Sequence, residues 1–139
     1  MPYTLEVKYE ESPAGNKLIS IYSTLSIEED QLSNILDIEV YFRSINQSGV
    51  FPLITCSCGS FGCGGTEVTI SKDQDSRIWR INNKEYILTR QEIKTIGMQL
   101  IEYILKIKNE YKDYLICSGT YGEDISNNLE EYGSILKDC

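Results

Sequence analysis

The hydrophobic period of this chain changes once, at Thr89, and that change limits the folds open to it. Before Thr89 the apolar residues recur at every second position. Tyr3, Leu5, Val7 and Tyr9 alternate with Thr4, Glu6 and Lys8, which is the pattern of a half-buried strand. After it, Ile93, Ile96, Leu100, Ile104 and Ile107 recur at helical spacing. Thr89 and Glu92 stand in the S/T-x-x-E relationship of a capping box, so a long amphipathic helix is expected over Arg90 to Lys112, about 34 Å at ~1.5 Å per residue. Strands first and helices afterwards define an α+β fold: an antiparallel sheet built from hairpins, with helices packed on one face. At 139 residues the chain is read as one domain, mainly β over 1–88 and mainly α over 89–139.

The strands can be placed from turn chemistry. Glu10 to Asn16 contains Ser, Pro, Gly and Asn, and Leu18 to Ile27 resumes the alternation, so a hairpin is expected. Ser26 followed by Glu28, Glu29 and Asp30 suggests a short helical turn over Gln31 to Leu36, since acids favour a helix N-terminus. Ile38, Val40 and Phe42 alternate with Glu39, Tyr41 and Arg43, and Asn46 to Gly49 then turns into Val50 to Cys56, which reads as a second hairpin. A third hairpin pairs Glu67 to Ser71 with Arg77 to Asn82 and carries the only tryptophan, Trp79. Tyr86 to Leu88 adds a short strand, Tyr114 to Cys117 is a short apolar piece, and Ile125, Leu129, Tyr132 and Leu136 indicate a last helix.

Charge narrows the function classes. There are 21 acidic and 13 basic side chains, a net charge of −8, and no histidine. Such a chain has little with which to neutralise phosphates, so direct nucleic-acid or anionic-membrane binding is not expected and a basic protein partner is. Without histidine, Ser-His-Asp triads and Cys-His pairs cannot form. From Glu110 onward, seven acids (Glu110, Asp113, Glu123, Asp124, Glu130, Glu131, Asp138) face only Lys112 and Lys137. Ten tyrosines against three phenylalanines add amphipathic anchors of the kind enriched at interfaces. A partner-binding surface is therefore expected at Tyr121, Glu123, Asp124, Glu130, Glu131 and Tyr132. The alternative is that these acids are solvated faces that keep the protein soluble.

Met1 to Glu11 contains no apolar stretch of a signal peptide, and no run approaches the ~18 apolar residues of a membrane span, so a cytoplasmic protein is expected. Five cysteines, an odd number, then speak against a disulfide framework. Three of them lie in Thr55 to Gly65, with four glycines in the same eleven residues. Cys56, Cys58 and Cys63 could hold zinc with a fourth ligand from Cys117, Cys139 or a carboxylate, although the usual knuckle spacing is C-x2-C. Cys58 or Cys63 as a nucleophile lacks a base to activate it. The third possibility is architectural: small buried thiols beside Trp79, with glycines supplying a tight connection.

The stretch Phe51 to Gly65, followed by the Trp79 strand, resembles a family of small uncharacterised bacterial proteins marked by T-C-x-C-G-x-x-G-C-x-G ahead of a Trp-containing strand. Proteins of this layout are similar to immunity partners of polymorphic toxins. The resemblance implies a non-enzymatic, cytosolic toxin inhibitor with a basic toxin domain as partner and no cofactor, and it supplies no catalytic residues. A zinc-stabilised adaptor, or a mobile-element inhibitor of a host nucleic-acid enzyme, are the alternatives.

Overall fold

A computed structural model of the chain describes residues 2–13, 15–28, 30–32, 35–55, 65–118 and 124–139. The fold is α+β, and the strands lie in two sheets. In the first, β1 (Tyr3–Glu11) pairs antiparallel with β2 (Leu18–Ile27) from Tyr3↔Ile27 to Glu11↔Ile19. This is the expected first hairpin. Gly15, with φ at +68°, sits in its turn, where a left-handed conformation suits glycine. Ile19, Ile21, Leu25 and Ile27 of β2 are buried, and the half-buried Tyr3, Leu5 and Val7 of β1 pack against the same core.

The helical turn expected over Gln31 to Leu36 is replaced by two short strands, β3 (Asp30–Gln31) and β4 (Ile35–Leu36). Leu32 is buried, and its amide donates to the Leu25 carbonyl at 3.1 Å, so the segment folds back on β2 and cannot wind. The second hairpin also differs. Ile38 to Ser44 is a helix, α1, capped by Asp37, whose carboxylate accepts from the Val40 amide at 3.1 Å. Ile38, Tyr41 and Phe42 are also spaced i, i+3, i+4, and burial of all three selects the helical period over the alternating one.

The second sheet runs β4, β5 (Gly49–Thr55), β6 (Thr66–Lys72), β7 (Ser76–Ile81), β8 (Lys84–Thr89), antiparallel throughout. The register of β5 slips between Phe51 and Ile54, where Pro52 has no amide to give the ladder. Asn82 and Asn83, with φ of 48° and 67°, form the tight turn between β7 and β8. One face of this sheet is buried through Val68, Ile70, Arg77, Trp79, Ile81, Tyr86 and Leu88.

The long helix α2 (Arg90–Glu110) begins at the expected capping box: Thr89 Oγ1 accepts from the Glu92 amide at 3.0 Å and Glu92 accepts from the Thr89 amide at 2.8 Å. Ile93, Ile96, Leu100, Ile104 and Ile107 face the core. The chain then returns as β9 (Leu115–Ser118), parallel to β2 from Leu18↔Leu115 to Ile21↔Ser118. A 3-10 turn (Ser126–Asn128) leads into α3 (Leu129–Lys137). α3 approaches α2 at Gly97, where an added Cβ would stand 2.6 Å from Leu136 Cδ2.

Candidate functional site

Of the four described residues expected at the acidic C-terminal surface, three are bonded to other groups of the protein. Tyr121 and Glu123 lie outside the described residues. Asp124 Oδ1 accepts from the Ile116 amide at 3.0 Å, the Ser126 amide at 3.2 Å and Ser126 Oγ at 2.8 Å, which ties β9 to the 3-10 turn. Burial would raise its pKa, but these hydrogen bonds outweigh burial and hold the carboxyl below its usual value.

Tyr132 is wholly buried and stacked on Phe42, and its hydroxyl donates to Glu39. It cannot serve as a solvent-facing anchor, because the aromatic surface that would bind a partner already contacts α1. Glu131 is gripped by Arg43 through both terminal nitrogens, and Arg43 Nε also donates to Glu39 at 2.5 Å. Arg43 holds Glu131 below the usual carboxylate range. Only Glu130, among the four described members of that set, presents an exposed carboxylate with no hydrogen bond or ion pair. α1 forms beside α3, and α1 is the element that the alternating pattern conceals.

A different acidic, tyrosine-rich surface forms where the end of β1 meets the end of α2. Tyr9 contacts Tyr103 and Tyr111 with ring centroids 6.5 and 5.9 Å apart, and Tyr111 contacts Tyr114 at 5.1 Å. The Tyr9 and Tyr111 hydroxyls are 3.4 Å apart, and Tyr114 donates to Glu11 at 2.8 Å. The Tyr9 hydrogen bond, with burial, pushes the Tyr111 phenol up to about 12. Tyr9 is 37% exposed, and Glu10, Glu11, Glu110 and Asp113 stand exposed on the same three segments. Sequence carries part of this signal, since Tyr111 follows the helical stripe and Tyr9 the strand alternation. Their meeting depends on how α2 lies along β1.

The outer face of the β1–β2 hairpin holds a concavity of about 480 Å³ lined by Glu6, Lys8, Tyr9, Glu10, Tyr22, Thr24 and Ile35. The register Glu6↔Thr24 and Lys8↔Tyr22 puts those four side chains on one face. Lys8 Nζ is 3.3 Å from Glu6 Oε1, whereas Glu10 has no hydrogen bond or ion pair among the described residues. Carboxylates and phenols at neutral pH can bind cations here. Among the described residues no activated nucleophile is placed beside them.

Cys56, Cys58 and Cys63 lie outside the described residues. Cys117 is buried in β9, and burial, with Asp124 nearby, pushes its thiol up and away from the thiolate form. Cys139 accepts from Arg77 at 3.5 Å. Among the described residues no three metal-ligating side chains cluster, and no helix is long and apolar enough to cross a membrane. No family model, curated protein or solved structure matches the chain.

Proposed function

We propose that this chain is a non-enzymatic binding protein that neutralises a basic protein partner, in the manner of a toxin-immunity protein. The observation that carries the reading is the cluster of Tyr9, Tyr103, Tyr111 and Tyr114 at the end of β1 and α2, bordered by Glu11, Glu110 and Asp113. Rings held by one another lose little conformational freedom on binding, and neutral phenols beside exposed carboxylates suit a cationic surface. The carboxylates also steer encounter with a basic domain and occupy the place of phosphates in its cleft. A cytosolic location and action without a cofactor go with this role.

The test is coexpression with the C-terminal domain of a toxin-like reading frame adjacent to the gene. Restored growth and a stable complex are expected. The variant Glu110→Lys/Asp113→Lys should lose both while keeping its thermal transition. Failure of the unmodified protein to restore growth or to form the complex would refute the reading, and an unaffected double variant would remove this surface from it.

A further inference from the structure

We infer that the open edge of β1 is a homodimer interface, at which β1 of one copy pairs antiparallel with β1 of a second copy about a two-fold axis through Val7. The inference goes beyond the binding function proposed above and does not depend on it.

The backbone makes the edge available. β1 is nine residues long and pairs with β2 on one side, and among the described residues nothing pairs with its other side. At the two ends of the β1–β2 ladder the Glu28 amide donates to the Pro2 carbonyl and the Ser12 amide donates to the Leu18 carbonyl, both at 2.9 Å. The even-numbered residues of β1 therefore bond toward β2. Bonding directions alternate along an antiparallel strand, so Tyr3, Leu5, Val7, Tyr9 and Glu11 aim their amides and carbonyls at the open side. A row of outward amides and carbonyls is a template for another strand.

Side chains choose the occupant and the register. A charge in the middle of an edge ordinarily keeps copies apart, but β1 carries opposite charges on either side of Val7, at Glu6 and Lys8. A two-fold axis at Val7 sets Glu6 of each copy directly across from Lys8 of the other, in non-hydrogen-bonded pairs whose Cα atoms lie ~4.5 Å apart. Within one copy Lys8 Nζ is already 3.3 Å from Glu6 Oε1, so the four charges alternate in sign around the axis. On the opposite face Val7 meets Val7 and Leu5 meets Tyr9, which extends an apolar row whose Tyr3, Leu5 and Val7 are only half-buried. A register centred on Glu6 or Lys8 sets like charges face to face, and one centred on Leu5 or Tyr9 leaves much of β1 unpaired. This self-complementarity is what fits a second copy.

The experiment is sedimentation equilibrium of the purified protein in reductant, from about 1 μM to about 1 mM, where a reversible monomer–dimer equilibrium is expected. Lys8→Glu places two acids opposite each other in both pairs and should weaken the dimer roughly tenfold or more. The exchange Glu6→Lys/Lys8→Glu puts opposite charges back across the axis and should restore most of the affinity. If Lys8 instead faced Glu10 of the second copy, the exchange would leave two acids opposed and restore nothing. Circular dichroism establishes that both variants are folded. A protein that stays monomeric throughout, a Lys8→Glu dimer as tight as the unmodified one, or an exchange variant as weak as Lys8→Glu would each overturn the proposal. Dimerisation is measured without the toxin-like domain, so its failure leaves the coexpression result untouched.

Discussion

The ring of Tyr132 lies on that of Phe42 with centroids 4.1 Å apart and planes 7° from parallel, so α3 and α1 are joined by two stacked aromatics. The Arg43 guanidinium carbon stands 6.0 Å from the centroid of the Tyr132 ring, and Glu39 accepts the phenol hydrogen at its tip. Tyr132→Ala should cost about 3–5 kcal/mol by removing a fully buried ring. Tyr132→Phe keeps the stack and should cost about 1–2 kcal/mol for the lost hydrogen bond to a carboxylate. Urea unfolding gives both values, and the Phe variant should bind the partner as the unmodified protein does.

Gly97 and Leu136 form a second joint between helices. Alanine at 97 favours a helix by about 1 kcal/mol. Its Cβ would nevertheless stand 2.6 Å from Leu136 Cδ2 and 3.2 Å from Phe42 Cε1, and Phe42 is held by its stack. A net loss of about 1–2 kcal/mol is expected. In a double-mutant cycle, Gly97→Ala should cost less in a Leu136→Ala background, because the smaller side chain vacates the colliding volume.

Asp124 should make stability depend on pH. Its folded-state pKa is lowered, so its contribution is complete above the ordinary carboxylate value of ~3.9 and is lost as pH falls through the folded value. Asp124→Asn should be less stable at pH 7 by about 1–2 kcal/mol, since a charged acceptor for four donors becomes a neutral one. The difference between the two proteins should shrink below about pH 4. Urea midpoints across a pH series would reveal it, and a gap that widened in acid would contradict this account.

Arg77 is 1% exposed, and its guanidinium donates to the carbonyls of Ile45 at 2.8 Å, Ser76 at 3.2 Å and Asp73 at 3.3 Å. No ion pair to it is present among the described residues; the fork is satisfied by three backbone carbonyls and, at 3.5 Å, by the Cys139 thiol. Arg77→Lys keeps the charge but cannot reach three diverging carbonyls, and a loss of about 1–3 kcal/mol is expected on thermal or urea unfolding.

Local pattern was enough where neighbours in sequence do the bonding. The Thr89–Glu92 box starts α2 where it is expected, and the alternation in Tyr3 to Tyr9 and Leu18 to Ile27 gives a hairpin whose register follows from its buried face. At Ile38 to Ser44, two periods coexist in the same letters. Only contact with the core chooses between them: Tyr41 donates to the Ile93 carbonyl at 2.8 Å and meets Trp79 ring to ring at 6.2 Å. The candidate site shows the same division. Acids and tyrosines were visible as a composition, but whether each one faces solvent depends on partners distant in sequence.

The sequence by itself therefore determined the α+β class, the hairpins and helices with local signals, and the net negative charge. Tertiary structure alone decided that β9 returns parallel to β2, that Asp124, Glu131 and Tyr132 are bonded within the protein, and that Tyr9, Tyr103, Tyr111 and Tyr114 meet at one surface. The physical reason is range. Capping and alternation act within a few residues, whereas the fate of a polar or aromatic side chain is set by burial and by whichever distant donor or ring the fold brings within reach.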